Sequence, residues 1–219
     1  MDPKDIKRER VVKRIAQEFP DGALVNLGIG MPTLVANHIP AGKTILLHSE
    51  NGFVGLGPKA EKGKELQSLV NAGGQPVTII PGGCFFDSSM SFAIIRGGHV
   101  DYTVLGALEV DMEGNLANYM IPGKMVPGMG GAMDLVAGAK NVIIAMEHVN
   151  KNGAPKILKK CTLPLTAVGE VDLIVTDMAF IRVTKKGLVL EEIAEDTTVE
   201  EVIKATDAPL HVAGKLGKF

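Results

Sequence analysis

The sequence predicts one α/β domain over residues 1–219, with a single, mostly parallel β-sheet flanked by helices. Three observations support this fold class. Runs such as Val142–Met146 are apolar at every position, which is typical of parallel strands buried on both faces. These runs alternate with helical patterns, as expected when crossover helices join the strands. A hydrophobic content of 46% over 219 residues is enough for a large core, and no repeat or linker divides the chain.

The first predicted element is an amphipathic helix over residues 3–19. Ile6, Val12 and Ile15 fall on its apolar face, and lysines and arginines occupy the face exposed to water. The turn residues Pro20-Asp21-Gly22 end it. The basic run near the N terminus is therefore interpreted as a solvated helix face.

The later elements are predicted from apolar runs separated by glycine, proline and polar residues. The predicted strands are Ala23–Gly30, Thr44–Leu47, Gln75–Ile80, Asp101–Glu109, Asn141–Val149, Asp172–Thr176, Met178–Val183 and Leu188–Leu190, with an extended segment over Asn115–Ile121. Short helices are predicted after Pro32, from Ser88 or Ser89, over Ala132–Ala139 and from Thr197 or Thr198. A small antiparallel addition is expected near the C terminus. Segments 59–69 and 210–219 are predicted to be irregular.

Composition argues against several classes of function. A formal net charge of −2 gives no electrostatic reason to expect nucleic acid or an anionic membrane as a partner. Cys84 and Cys161 are far apart and form no metal-ligand spacing with the five histidines, so no metal site is expected. No apolar run approaches the ~18 residues of a membrane span. Acidic residues interrupt the basic N terminus, unlike a transit peptide, so a cytoplasmic location is expected.

The segment His48-Ser49-Glu50-Asn51-Gly52 follows an apolar run and is the first candidate site. Active sites in open α/β sheets lie outside the carboxyl ends of strands. Position alone leaves Glu50 open between a salt-bridged structural carboxylate, a general base and a nucleophile. Asn51 could orient the carboxylate or a reacting carbonyl, and Gly52 leaves space beside it. Ser49 lacks the G-x-S-x-G pattern of hydrolase nucleophiles, and a neighbour such as His48 points to the opposite face of a strand.

Two glycine-containing loops are the other candidates. Gly28-Ile29-Gly30 ends a strand, but the third glycine of a dinucleotide-binding fingerprint is missing, so either a tight turn or a backbone approach to a ligand fits. The loop over residues 125–134 contains Gly130 and Gly131 just before a predicted helix. Their N–H groups could stabilise a developing oxyanion, or the glycines could serve packing alone.

Taken together, the motifs resemble the B (beta) subunit of family I CoA-transferases, a group that includes acetate/butyrate–acetoacetate and succinyl-CoA:3-oxoacid CoA-transferases. The resemblance extends over nearly the whole chain and keeps the order of the motifs. The matching segments are Val25–Thr33, Ser49–Gly52, Asn71–Gly74, Phe86–Ser88, Ile95–His99, Gly114–Asn118, Pro122–Met125 and Gly128–Leu135. A departure is Tyr119, where relatives often carry Trp.

The resemblance implies an open α/β fold and a ping-pong transfer of CoA between a short-chain acyl-CoA and a carboxylic acid such as acetoacetate, butyrate, acetate or succinate. Glu50 matches the catalytic glutamate, which forms a glutamyl-CoA thioester. Gly130 and Gly131 match the oxyanion loop, Gly131 foremost, with Ser49, Asn51, Gly52, Gly28 and Gly30 in support. CoA is implied as a substrate, with no permanently bound cofactor.

The resemblance also implies a partner A (alpha) subunit, in an A2B2 heterotetramer, because the family's A half is not in this sequence. Two alternatives are a phosphosugar isomerase with Glu50 as its base, and a non-catalytic acyl-CoA-binding subunit. Only the transferase would form a covalent adduct at Glu50.

Overall fold

The computed structural model describes residues 2–126 and 128–219. Pro127, in the predicted glycine-rich loop, and Met1 lie outside the described residues. The described helices are α1 (Pro3–Ala16), a 3₁₀ helix (Met31–His38), α2 (Ser88–Arg96), α3 (Ala132–Gly138) and α4 (Val199–Ala205). The strands are β1 (Leu24–Leu27), β2 (Leu46–Ser49), β3 (Phe53–Lys59), β4 (Val77–Phe85), β5 (Tyr102–Leu105), β6 (Glu109–Asp111), β7 (Leu116–Ala117), β8 (Val142–Met146), β9 (Ile157–Leu158), β10 (Leu173–Thr176), β11 (Ala179–Thr184), β12 (Gly187–Ile193) and β13 (Leu210–Lys218).

Ten strands form one sheet in the order β13-β12-β11-β10-β8-β5-β1-β2-β3-β4. The five central strands, from β10 to β2, are parallel to one another. Antiparallel strands extend the sheet on both sides, β3 and β4 beyond β2 and the β11–β12 hairpin beyond β10. The predicted α/β class with a mostly parallel sheet is confirmed, and the antiparallel addition near the C terminus is present.

The two faces of the sheet carry separate hydrophobic clusters. On β8, Ile143 and Ala145 join the cluster under α1, whereas Val142, Ile144 and Met146 join the cluster under α2, α3 and α4. All five residues are buried, which explains why this strand is apolar at every position. The central strands are thus held rigidly between two layers of helix.

Several boundaries differ from the predicted ones. Residues 53–59, without an assigned element, form β3, and the tail predicted to be irregular forms β13 beside β12. β4 continues through Pro81 to Phe85, because an edge strand has no further neighbour that needs the missing N–H of proline. The predicted strand Asp101–Glu109 breaks at Gly106. After the break, β6 forms a small separate sheet with β7 and β9.

None of the helices in the part of the chain that the structure describes is long and apolar enough to cross a membrane.

Candidate active site

Glu50 lies at the carboxyl end of β2, where the chain reverses at once into β3. Ser49 pairs with Phe53 across this turn, and the Gly52 N–H donates to the Ser49 carbonyl at 3.0 Å. Gly52 has a φ of +129°, and a Cβ on it would lie 2.3 Å from the carbonyl oxygen of Phe86. Only glycine fits this position, so the turn that presents Glu50 is specified by its sequence.

The Glu50 carboxylate is held by an amide from the neighbouring strand. Asn26, on β1, is completely buried, and its Nδ2 lies 3.1 Å from Oε2 of Glu50. The same nitrogen is 3.1 Å from Nδ1 of His48 and 3.3 Å from the His48 carbonyl oxygen. Nε2 of His48 lies 3.0 Å from Oγ of Ser91 on α2. We call these four residues, Glu50, Asn26, His48 and Ser91, the Asn26 network.

His48 is neutral in this network. Burial lowers the pKa of His48 to about 4, so that its ring can accept a hydrogen bond at one nitrogen and donate at the other. Within residues 2–126 and 128–219, no lysine, arginine or histidine forms an ion pair with Glu50. Of the open alternatives, the geometry therefore disfavours a salt-bridged structural carboxylate. A half-buried carboxylate that is hydrogen-bonded but unpaired suits a reactive group.

The second candidate loop comes directly against Glu50. An added Cβ on Gly131 would lie 3.5 Å from Cγ of Glu50 and 3.5 Å from Cζ of Phe92. Gly131 is buried and occupies the N-cap position of α3. Gly130 is exposed, adopts a φ of +51°, and an added Cβ there would contact nothing within 4 Å. Gly131 thus places its backbone beside the side chain of Glu50, while Gly130 supplies the turn that leads to it.

The polar neighbours of Glu50 in sequence bind a different loop. Oγ of Ser49 accepts the N–H of Ala72 at 3.2 Å, and Nδ2 of Asn51 donates to the carbonyl of Val70 at 2.8 Å. Both residues therefore connect the segment over residues 70–76 by hydrogen bonds to the turn between β2 and β3. Asn51 was considered as the residue that orients the Glu50 carboxylate. Among the residues that the structure describes, Asn26 is the one whose side chain donates a hydrogen bond to it.

Gly28 and Gly30 are explained largely by local structure. A Cβ on Gly28 would lie 3.0 Å from both the Val104 carbonyl oxygen and a methyl group of Leu105, so Gly28 allows β1 to pack against β5. Gly30 has a φ of +94° and precedes the 3₁₀ helix, where its carbonyl accepts the Thr33 hydroxyl at 2.8 Å. These contacts favour the interpretation as a tight turn.

A cavity of about 240 Å³ lies beside β2, between the 3₁₀ helix, β3 and the segment over residues 71–77. Apolar side chains such as Leu27, Leu34 and Val77 line it, together with His48 and Ser49. A second recess of about 380 Å³ shares part of the same wall and includes Arg8. The carboxylate thus has a largely apolar hollow next to its strand.

The other titratable candidates are structural. His148 is buried and bonds Thr176 and Thr206 at 2.8 Å each, and burial lowers its pKa to about 4. Burial raises the pKa of the Cys161 thiol to about 12, and Cys84 is an exposed free thiol. In the described ranges, no three His, Cys, Asp or Glu side chains are grouped so that they could hold a metal ion.

Asn26, His48, Ser91 and Phe92 were not among the predicted site residues. Asn26 lies within an apolar run, so the sequence indicated only that it belongs to a buried strand. A single polar side chain in such a strand, two residues before the Gly28 turn, was the available signal.

Known proteins are similar to this chain over nearly its whole length. Residues 8–205 match the family described as Coenzyme A transferase. The chain is 54% identical over 209 residues to acetate CoA-transferase subunit beta of Escherichia coli K12, and the match covers 95% of each chain. It is 52% identical over 214 residues to the mitochondrial succinyl-CoA:3-ketoacid coenzyme A transferase 2A of Rattus norvegicus. That match covers 97% of this chain and 41% of the rat protein.

The fold has a counterpart in a solved structure. The crystal structure of an acyl-CoA transferase from Escherichia coli O157:H7 matches with a TM-score of 0.78 and 20% sequence identity, over 97% of this chain and 43% of that chain. At this identity the match concerns the fold alone, whereas the sequence matches concern the family. The chain therefore belongs to the coenzyme A transferase family, as a B (beta) subunit of family I.

Proposed function

We propose that this chain supplies the catalytic nucleophile of a CoA-transferase, and that Glu50 is that nucleophile. One oxygen of Glu50 attacks the thioester carbonyl carbon of an acyl-CoA, and CoA leaves as its thiolate. The acyl-glutamyl anhydride that results is attacked by the thiolate at the glutamyl carbon. This step releases the acyl group as a carboxylate and leaves a glutamyl-CoA thioester. An incoming carboxylate reverses the two steps and departs as the new acyl-CoA.

The observation that carries this proposal is the meeting of Glu50, Asn26 and Gly131. The Asn26 amide binds one carboxylate oxygen at 3.1 Å, and the missing side chain at Gly131 leaves space next to Cγ of Glu50 and Phe92, which we propose a reacting carbonyl uses. A carboxylate needs no base for activation, so neutral His48 is compatible with the chemistry. We propose that the Gly131 N–H stabilises the oxyanion of the substrate, and the closeness of this residue to Glu50 supports that role.

Exposed apolar side chains on β4, α2 and the loop before α3 support the proposal of a partner subunit. Phe85, Met90, Val126 and Met129 expose 62%, 54%, 67% and 38% of their surface. Large exposed apolar side chains around a reactive centre are typical of a protein interface. We propose that an A subunit covers them in an A2B2 assembly and excludes water, which would hydrolyse the anhydride and the thioester.

The substrates are proposed from the relatives, whose names specify acetate and succinyl-CoA with 3-ketoacids. We propose a short-chain acyl-CoA as donor and acetate, butyrate, succinate or acetoacetate as acceptor. CoA enters and leaves as a substrate.

Kinetics of the complex with an A-type subunit test this function. Glu50→Gln removes the nucleophile, so CoA exchange should fall to background, whereas Glu170→Gln, on an exposed loop, should retain full activity. Borohydride added with acyl-CoA should inactivate the native complex by reducing the thioester at Glu50. Exchange activity in Glu50→Gln, or an isomerase activity without any adduct, would contradict the proposal.

A further inference from the structure

We propose that Asn26 is a second catalytic residue: its amide is the oxyanion donor for the carbonyl of Glu50 itself. The inference rests on the proposed function, in which additions occur at two different carbonyl carbons. At the substrate carbon, negative charge develops on the oxygen of the acyl group. At the glutamyl carbon, it develops on the oxygen that Glu50 retains.

The glutamyl step defines what such a donor must do. A lone pair of the CoA thiolate forms the S–C bond at Cδ of Glu50, and the carbonyl π pair moves onto the retained glutamate oxygen. Collapse of this tetrahedral species breaks the bond to the bridging oxygen and expels the acyl carboxylate. The charge on the retained oxygen needs its own donor, because the oxygen of the acyl group is attached to a different carbon.

Asn26 occupies the required position. Its Nδ2 is 3.1 Å from Oε2 of Glu50, and within residues 2–126 and 128–219 it makes the only hydrogen bond to that carboxylate. Asn26 is completely buried, so the hydrogen bond lies in a low-dielectric setting where such a donor has most effect. Oε2 is then the retained oxygen, and Oε1 is the oxygen that attacks the substrate.

The orientation of the amide is fixed by its surroundings. The same NH₂ group faces the carbonyl oxygen of His48, so a flipped amide would place Oδ1 against two acceptors, this oxygen and Oε2 of Glu50. With the amide in this orientation, its hydrogen bond to His48 requires the neutral tautomer that accepts at Nδ1 and carries its proton on Nε2, 3.0 Å from Oγ of Ser91. His48 is therefore a positioning residue for Asn26.

The far side of the amide has a matching hydroxyl. Oδ1 of Asn26 and Oγ1 of Thr103 are both buried without a hydrogen-bond partner in the described part of the chain, and the two residues are register partners on β1 and β5. The two atoms make no direct hydrogen bond, and one water bridging them would satisfy both.

The test uses the complex with an A-type subunit, loaded with acyl-CoA to form the Glu50 thioester and then freed of excess acyl-CoA. Hydroxylamine attacks the same glutamyl carbon, so its rate of discharge reports the proposed donor. Asn26→Ala should slow this discharge by about 10²–10³-fold, as expected for loss of one oxyanion donor. The matched control is Asn141→Ala. Asn141 is a partly buried asparagine just before β8, at the amino ends of the parallel strands, and its amide donates to the Asp101 carbonyl.

A second variant, Asn26→Asp, keeps the shape of the side chain and guards against a folding defect. Its carboxyl group can donate only when protonated, so its discharge rate relative to the native complex should rise as the pH falls. A purely structural role would make the discharge rate follow the folded fraction of the Asn26→Asp complex, which urea unfolding at the same pH values measures.

Discharge at the native rate in Asn26→Ala, or a pH-independent ratio in Asn26→Asp, would overturn the inference. Absence of a Glu50 adduct in the native complex would instead overturn the proposed function, so the two failures are distinguishable.

Discussion

The substitution Gly131→Ala distinguishes a packing role of residue 131 from a catalytic one, because it adds only one methyl group. Gly131 has φ −84° and ψ 5°, which alanine can adopt, and the added Cβ would make ordinary contacts with Glu50 and Phe92. Gly131→Ala should therefore leave the free energy of unfolding unchanged or raise it by about 0.5 kcal/mol. The methyl would occupy the space where the acyl carbonyl must approach, so kcat/KM should fall at least about tenfold.

Urea unfolding and steady-state kinetics on the same preparation measure both quantities for Gly131→Ala. A stable variant with native kcat/KM would show that the loop serves packing alone.

Two buried histidines predict how stability depends on pH. The pKa values of His48 and His148 in the folded protein are lowered to about 4 by burial, whereas an unfolded histidine titrates near pH 6.5. The unfolded state therefore binds more protons between these values, and stability falls as the pH falls through this window. The expected loss at pH 5 is about 2 kcal/mol for each histidine.

Urea unfolding at pH 7, 6 and 5 measures this dependence. The variant His148→Gln should show about half the decrease of the native protein. A free energy of unfolding that is constant from pH 7 to pH 5 would contradict the assignment of neutral, buried rings.

Among single residues, Glu50 was predicted and Asn26 was not. A carboxylate placed directly after a buried strand costs free energy unless it is paired or has a function. The position of Glu50 alone therefore made it a candidate site residue. A buried asparagine can equally be satisfied within a sheet. Its role depends on the register that sets it opposite His48, and this register exists only in the folded sheet.

At the scale of elements, the turn between β2 and β3 depends on Gly52. Gly52→Ala would force a side chain into a φ of +129° and place its Cβ 2.3 Å from the Phe86 carbonyl oxygen. The matched control is Gly63→Ala, where φ is +85° but nothing lies within 4 Å of the added atom. Gly52→Ala should lower the free energy of unfolding by at least about 2 kcal/mol more than the control does.

Chemical denaturation of the two variants side by side gives the comparison. Equal destabilisation would mean that backbone strain alone, and not the contact with Phe86, determines the choice of glycine at position 52.

The elements predicted correctly are those that carry their own signal. β8 is apolar throughout and β10 is apolar up to Thr176 because both of their faces are covered, and α1 has a clear apolar face. Two strands were missed, β13 at one edge of the sheet and β3 next to the other edge. β13 contains Gly214, Gly217 and two lysines, so its sequence has little strand preference, and its strand conformation depends on pairing with β12. β3 was obscured by Gly55, Gly57 and Pro58 in the same way.

At the scale of the whole molecule, the central parallel strands serve as a rigid base for one edge of the sheet. Register between β1 and β2 brings Asn26 to Glu50, and the loop before α3 brings Gly131 to the same carboxylate. Phe85 on β4, Met90 on α2, and Val126 and Met129 in the loop before α3 expose apolar surface. The match covers 41% of the rat transferase, which is compatible with the proposed A subunit.

The most direct test of Glu50 as the nucleophile is the intact mass of this chain after brief exposure to acyl-CoA, with and without an A-type subunit. In the complex, the chain should gain the mass of CoA less one water, and peptide mapping should place the addition at Glu50. Hydroxylamine should remove it, and Glu50→Gln should never acquire it. A native, active complex that transfers CoA while its B chain keeps an unchanged mass, or carries the adduct at another residue, would contradict this account.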